Sequence, residues 1–532
     1  MSLPWYHKTT IYHVYPRSFY DSNGDGIGDL QGILRKLDHI HGLGFESIWL
    51  SPFLASPQSD FGYDISSYTD IAPEYGTMED VEQLIEEIHR RGMRIVFDLV
   101  LNHTSIEHPW FLESRSSRDN PKADWYFWRD QPNNWLTVTG GSGWQYAPER
   151  DQYFWTTFLP FQPDLNYRNP DVKRAILEIA HFWLRKGVDG FRLDIFHHLF
   201  KDAEFRDNPF SFKLLPTPDD PSGYLQEAKY TANQPESFAF ARDFRELCDQ
   251  YGEKLSIGEV TGDPAITRRY LGQEENSGLT LVFDFGMLNF KFSADYFRGL
   301  IQTMEKQYPP PFMPVYVFSN LDKNRSMLRL GGDVRKAKLL HMLQMSVRGV
   351  PCLYYGEEIG MTNAKFPFAT ALDPIPHKYT FLPRFVFDAL GLMVNRDEVR
   401  TPMQWDSTNN AGFSSAEKTW LPVHKNYTRI NVERQSREEE SLLNTVRALL
   451  AIRRREKALQ EGCLHLLENL PANIVGFTRS FGEEQMLILL NFGDGQTEFT
   501  LEAGECLFKL TGGSQWVDGR IRLEGYGGLI LK

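Results

Sequence analysis

The chain reads as an α/β protein built as a (β/α)8 barrel, with a small domain inserted after the third strand and an antiparallel β domain at its C-terminal end. Three observations predict this. Eight short apolar runs recur over the first 355 residues with helical-period segments between them, three of these runs end at a carboxylate, and the tail switches to short alternating runs. Strand and helix alternating at this spacing indicate parallel βα units, and acids at strand C-termini belong to the reactive face of a barrel.

The strands follow in order. Residues 10–16 (TIYHVYP), 46–51 (ESIWLS) and 93–103 (MRIVFDLVLNH) form the first three, with helical patterns over 30–43 and 81–91 between them. From 104 to 170 the pattern breaks: Trp125, Trp128, Trp135, Trp144 and Trp155 are interspersed with Asn, Gly and Pro. That stretch is too long for an ordinary connection and reads as a small domain over the mouth of the barrel. A helix over 171–186 leads into the fourth strand, residues 188–195 (VDGFRLDI). Side chains alternate on a strand, so Arg192 and Asp194 share one face, while Phe191, Leu193 and Ile195 share the other. An irregular loop runs from 196 to about 234, a helix covers 237–250, and residues 254–259, 279–285, 313–322 and 350–355 are the remaining strands. A helix over 336–347 precedes the eighth strand, a long polar loop follows from 360 to 439, and the helix over 441–454 closes the barrel. The barrel thus takes 1–103 and 171–457, the insert 104–170, and the β domain 458–532, a β-sandwich.

Composition narrows the function. A net charge of −13 over 532 residues argues against nucleic acid or an anionic membrane as partner. No apolar run approaches a membrane span, and the N-terminus lacks a signal-like apolar stretch. Cys248, Cys352, Cys463 and Cys506 are scattered without ligand spacing, which suits a cytoplasmic protein. Asp21, Asn23, Asp25, the Ile27 carbonyl and Asp29 fall at alternating places of a calcium loop, but Gly32 replaces the closing glutamate. The readings are a structural Ca2+ (or Mg2+) and, against it, an Asx-rich turn without metal; no organic cofactor is implied.

Asp194, Glu259 and Asp322 end the fourth, fifth and seventh strands and converge on one rim. Arg192, two residues before Asp194, is expected to hold that carboxylate ionised by depressing its pKa. Two carboxylates facing across a sugar can act as nucleophile and acid/base, the acid needing a raised pKa. A buried site shared with other carboxylates raises it.

Six motifs carry a resemblance: residues 98–103 (DLVLNH), 162–166 (QPDLN), 190–194 (GFRLD), 257–259 (IGE), 319–325 (SNLDKNR) and 400–405 (RTPMQW). With them the chain resembles glycoside hydrolase family 13, the α-amylase family, in its oligo-1,6-glucosidase and α-glucosidase branch. The resemblance implies Asp194 as nucleophile, Glu259 as acid/base and Asp322 as transition-state stabiliser, with Arg192 and His103 lining the subsite of the attacked glucose. It implies an Asp64–Arg400 pair gripping the non-reducing end, Tyr63 stacked under the ring, Phe158 beside the scissile bond, and residues 21–29 as the metal loop. The bland alternative for Tyr63 and Phe158 is core packing. His197 and His198 receive no role.

The implied activity is that of a retaining exo-acting α-glucosidase on short α-glucosides, monomeric or a small homo-oligomer. Two alternatives remain: a glucosyl-transferring or isomerising relative, and, remotely, a non-enzymatic member, which the intact acids disfavour. The family's usual histidine between Asn320 and Asp322 is Leu321 here, and a donor lost from a buried sugar site costs about 1–3 kcal/mol. By the same resemblance, a branched aliphatic such as Ile195 after the nucleophile implies α-1,6 or non-maltose linkages.

Overall fold

The computed structural model describes residues 3–214, 220, 222–272, 277–380, 383–389, 392–502 and 504–532. Parts of the loops over 196–234 and 360–439 lie outside the described residues.

The expected barrel is present. Its strands are β1 (Ile11–Val14), β2 (Ser47–Leu50), β3 (Arg94–Leu99), β7 (Gly190–Leu193), β8 (Leu255–Glu259), β9 (Leu281–Phe283), β10 (Val315–Val317) and β11 (Val350–Tyr354). They pair in parallel in the order β10-β11-β1-β2-β3-β7-β8-β9, and β9 lies against β10 to bring the ring nearly to closure. Most strands are shorter than the apolar runs suggested because those runs continue past the last ladder hydrogen bond into the loops at the C-terminal face; the run 254–259 ends with its strand.

Helices cover the outside: α1 (Leu30–Leu43), α2 (Met78–Arg90), α4 (Pro170–Arg185), α5 (Pro235–Asp249), α6 (Pro264–Leu271), α7 (Ala294–Gln307), α8 (Val334–Ser346) and α9 (Leu442–Arg455); α3 (Pro109–Ser116) lies in the insert. Their starts are written locally. Asp29 accepts from the Gly32 N–H at the head of α1, Thr77 and Asp80 form a reciprocal capping box on α2, and Asn169 caps α4 with Pro170 in the first turn. Leu30, Ile33, Leu37 and Ile40 bury one stripe of α1 against the barrel.

Outside the strands a large core joins helices to sheet; inside, Ile11, Trp49, Val96, Ile257, Leu281 and Val350 belong to a second cluster. Gly190 permits the close approach of β7 to β8, since a Cβ there would sit 2.2 Å from the Leu255 carbonyl oxygen.

The insert holds an antiparallel sheet of β4 (Trp128–Arg129), β6 (Gln152–Trp155) and β5 (Trp144–Ala147), in that spatial order. Trp135, Trp144 and Trp155 pack with Phe127 in a core of its own. The tail forms a five-stranded sheet, β12 (Cys463–Leu466), β13 (Ile474–Phe481), β14 (Glu484–Asn491), β19 (Gly528–Leu531) and β16 (Cys506–Lys509), and a three-stranded one, β15 (Thr497–Thr500), β18 (Arg520–Leu523) and β17 (Gln515–Val517). The larger sheet is tied to the barrel by Arg479, fully buried, which donates to the Ser346 carbonyl at 2.7 Å and the Gly462 carbonyl at 2.9 Å. No helix among the described residues is long and apolar enough to cross a membrane.

Candidate active site

The register of the barrel places Asp98 on β3 directly beside Arg192 on β7, and Leu193 beside Gly258 on β8. Phe191 and Leu193 enter the outer core, so Arg192 faces the interior, where it is 2% exposed. Its guanidinium serves three acids. Nη1 donates to Asp98 Oδ1 at 2.8 Å and to Asp194 Oδ1 at 2.6 Å, and Nη2 donates to Glu259 Oε2. Asp194 and Glu259 also share a side-chain hydrogen bond, so the two carboxyls sit side by side. Tyr63 Oη and Trp49 Nε1 both donate to Asp98 Oδ2, at 3.2 and 3.3 Å.

Burial dominates the electrostatics. It pushes Glu259 up to about 8, against the pull of Arg192 and with the repulsion of Asp194 and Asp322 adding to it. Asp194 rises to about 6 for the same first reason, with Arg192 opposing and Asp98 adding. Asp98 also rises to about 6. The sequence argument expected Arg192 to depress Asp194. The structure corrects it, because one guanidinium is divided among three carboxylates and desolvation of the charged form outweighs its share.

Immediately after Asp194 the backbone turns. Ile195 stands at φ 33° in the left-handed region, which a β-branched residue rarely adopts. The turn aims its N–H at Glu259 Oε2, 3.2 Å away, and swings its side chain into the cavity. It does not share the outer face with Phe191 and Leu193, as strict alternation predicted, because β7 ends at Leu193.

Asp194, Glu259 and Asp322 open into a cavity of about 400 Å3 at the C-terminal face, with Tyr63, His103 and Phe158 on its walls. This is a size and polarity suited to a small ligand. His103 donates from Nε2 to the Tyr63 carbonyl at 3.0 Å, and burial lowers its pKa. Asp322 is fixed from behind by Arg400, whose Nη2 donates to Oδ1 at 2.9 Å, with Arg396 Nη1 at 3.7 Å.

Comparison with known proteins places this arrangement. The family model for the alpha amylase catalytic domain matches residues 13–462. The chain belongs to the alpha-amylase family. Among its relatives are a probable alpha-glucosidase of Rhizobium meliloti (strain 1021), 41% identical over 512 residues, covering 92% of this chain and 90% of that protein, and an oligo-1,6-glucosidase of Parageobacillus thermoglucosidasius, 36% identical and covering 94% and 92%. Two crystal structures share its fold at a TM-score of 0.90: the alpha-glucosyl transfer enzyme XgtA, 38% identical and covering 100% of this chain and 99% of that one, and the trehalulose synthase MutB from Pseudomonas mesoacidophila MX-45, 31% identical and covering all of both.

Within this alpha-amylase-family site, one predicted pair is not formed. Asp64 and Arg400 do not meet: Asp64 folds back to accept from Ser56 Oγ at 2.8 Å and from the N–H groups of Ser59 and Asp60 at 2.9 and 3.0 Å, closing its own loop. The acid that pairs with an arginine at the cavity wall is Asp60, whose Oδ1 accepts from Arg396 Nη2 at 2.5 Å while Gln162 Nε2 donates to Oδ2 at 3.0 Å. Asp60 lies three residues before Tyr63 in the same loop and Arg396 four before Arg400, so the motif named the right loops and the wrong members. Asp60, Arg396, Gln162 and Asp98 are among the site residues that sequence reasoning passed over; of these, Asp98 and Gln162 stood in quoted motifs. Leu321 is fully buried in the outer core and does not line the cavity; only its carbonyl contributes, accepting from Arg400 Nε at 3.0 Å.

In the loop over 21–29, Asp21 accepts from the N–H groups of Asn23, Gly24 and Gly26 and from Ser414 Oγ, and Asp29 from Ser22 and Gly32. Asn23 and Asp25 are exposed. Four donors lie on Asp21, and the N–H groups of Asn23, Asp25 and Ile27 each bond to the side-chain oxygen two residues before, so the loop is built as a run of Asx-turns.

Replacing Arg192 by Met tests the central claim electrostatically. Removing the shared cation from buried acids costs on the order of 3–5 kcal/mol where they are ionised. The deficit in thermal stability is therefore largest at pH 8 and small at pH 5, where Asp98, Asp194 and Glu259 all bind protons. An equal deficit at both pH values, read from paired melting curves, contradicts the shared-cation description.

Proposed function

We propose that the chain is a retaining, exo-acting α-glucosidase that hydrolyses short α-glucosides. The observation carrying this reading is the pairing of Asp194 and Glu259 on one buried guanidinium, with protonation tendencies split about neutrality. At pH 7 Asp194 is mostly ionised and Glu259 mostly protonated, the division of labour that two-carboxylate glycosidases need. In the first step an Asp194 oxygen bonds to the anomeric carbon while Glu259 gives its proton to the departing glycosidic oxygen. In the second, Glu259 takes a proton from water as that water displaces Asp194, and glucose leaves. Asp322, held by Arg400, binds the hydroxyls of the reacting ring, and the Asp60–Arg396 pair closes the wall beyond it.

The relatives named as glucosidases favour hydrolysis. The likeness to XgtA and MutB supports a second reading, transfer of the glucosyl group to an acceptor other than water, on the same first step. A panel of α-linked disaccharides (isomaltose, maltose, nigerose, kojibiose, sucrose and trehalose) separates them by chromatography. Hydrolysis releases free glucose from at least one of these; rearranged disaccharide without free glucose refutes it. Asp194→Asn abolishes turnover with the fold intact, since a carboxamide cannot form the ester.

The pH dependence has a fixed sign. Below about pH 6 Asp194 gains a proton and loses its nucleophilicity. Above about pH 8 Glu259 loses the proton it must donate. The profile of kcat/KM is thus a bell with flanks near these values, broadened because the acids titrate together. A profile flat from pH 5 to 9 removes both role assignments.

We also propose that residues 21–29 take a Ca2+ or Mg2+ ion for structure, through Asp21, Asn23, Asp25, the Ile27 carbonyl and Asp29. An all-oxygen loop with two exposed members supports this, though the ion must displace some of Asp21's present donors. Calcium added to chelator-stripped protein raises the melting temperature and Asp25→Ala cancels the rise; no shift with calcium ends the proposal. The four free cysteines accord with the cytoplasm, where we place the protein.

A further inference from the structure

Below the three acids, two aromatic rings lie flat against each other inside the barrel. His13 on β1 and Trp49 on β2 are partners in the parallel ladder, and both are buried. Their ring centroids are 3.5 Å apart and their planes 6° from parallel. The register accounts for this contact, since paired residues of neighbouring strands present their side chains to the same face.

From this stack the indole reaches the site. Trp49 Nε1 donates to Asp98 Oδ2 at 3.3 Å, and the guanidinium carbon of Arg192 lies over the same indole, 5.3 Å from its centroid. Trp49 therefore touches both the shared cation and one of the acids that divide it. His13 is held in turn by Ser51, its Nε2 lying 2.8 Å from Oγ. An imidazole flat on the indole stops that ring from rotating, so Nε1 stays aimed at Asp98. Burial, with the cations Arg192 and Arg325 nearby, keeps His13 neutral. Neither residue lines the active-site cavity, and nothing in the proposed reaction uses either directly.

We propose that Trp49 and His13 are positioning residues: the stacked pair fixes how Arg192 divides its charge between Asp98 and Asp194, and so sets how readily Asp194 acts as nucleophile. The inference rests on the glucosidase reading only in giving Asp194 that role. The Trp49 donor favours the charged form of Asp98, and a charged Asp98 draws on Arg192 and repels Asp194. Without the donor, Asp98 takes up its proton at higher pH. The guanidinium then serves Asp194 more fully, and Asp194 stays ionised to lower pH. The other groups facing this centre are Glu259, Asp322, Tyr63 and Tyr68, which the substitutions below leave in place.

The test follows the rate at which a cyclitol epoxide esterifies Asp194 in the full-length chain, read by mass spectrometry from pH 4 to 8. An Asp194 oxygen bonds to an epoxide carbon, and the opened oxygen takes the Glu259 proton. Trp49→Phe, which keeps a ring and removes the donor, moves the acid flank of this rate down by about half a pH unit. His13→Leu, which unstacks the indole, moves it the same way, and His13→Phe, which restores a flat ring, returns it to the parent's position. A flank that stays in place or rises in Trp49→Phe or His13→Leu overturns the proposal, even if the rate itself falls, because a merely structural role lowers the rate without moving the flank. A parent rate flat across the range overturns it as well. Should either Trp49→Phe or His13→Leu fail to fold, judged by its melting curve, the other decides. Release of glucose from disaccharides by the parent is scored separately, so a failure here is distinct from a failure of the glucosidase reading.

Discussion

One cation, Arg192, is the constraint around which the catalytic end of this barrel is arranged. Three buried carboxylates this close would repel one another and take up protons. A single guanidinium with two terminal nitrogens can hold them close without neutralising them all. The consequence is an uneven distribution: Asp98 and Asp194 titrate near pH 6, and Glu259, buried and repelled by both Asp194 and Asp322, stays protonated past neutrality although Arg192 also touches it. The division between nucleophile and acid is a property of where the charge sits relative to the three, more than of any acid by itself. The fold fixes those positions by strand register, which loop motion cannot alter.

The rest of the site is assembled from loops, and it depends on buried charge pairs to bring them together. Arg396, on the connection after the eighth strand, binds Asp373 on its own loop and Asp60 on the loop after β2. Lys201, fully buried beyond β7, donates to Asp164 in the insert and to Asn102 after β3 at 2.8 Å. Each of these fastens two distant chain segments around the cavity, and each would leave an unpaired buried charge if broken. Such contacts set geometry at little net gain in stability, which suits a rim that must be positioned but is not part of the folding core.

The barrel was legible because its signal is repetition: eight apolar runs separated by helical segments, three of them ending at a carboxylate. Asp194, Glu259 and Asp322 were found on that basis alone, since a strand end is a place that sequence can locate. What sequence could not locate is which member of a loop turns inward. Asp64 is next to Tyr63 on the cavity wall yet does not join the site, because its carboxylate is worth more to the loop's own N–H groups than to a distant arginine. Asp98 was hidden differently. It sits inside an apolar strand and reaches function only through the neighbouring strand, a relation of register that a single sequence does not display. Ile195 was misplaced because alternation holds only as long as the ladder does.

Leu321 shows how the same geometry can survive a lost donor. Its carbonyl still receives Arg400 Nε, and Arg400 still holds Asp322, so the carboxylate keeps its place while the side chain retreats into the outer core. Backbone and side chain at this position therefore perform separable tasks, one positional and one recognitional, and only the positional one is retained. The hydroxyl contact that a histidine would supply has no substitute from residue 321, and the burden of holding the ring falls on groups that the structure does put at the wall: His103, Asp322 and the Asp60–Arg396 pair. A site with one donor fewer binds the ground state less tightly, but it weakens catalysis only to the extent that the missing bond strengthens toward the transition state.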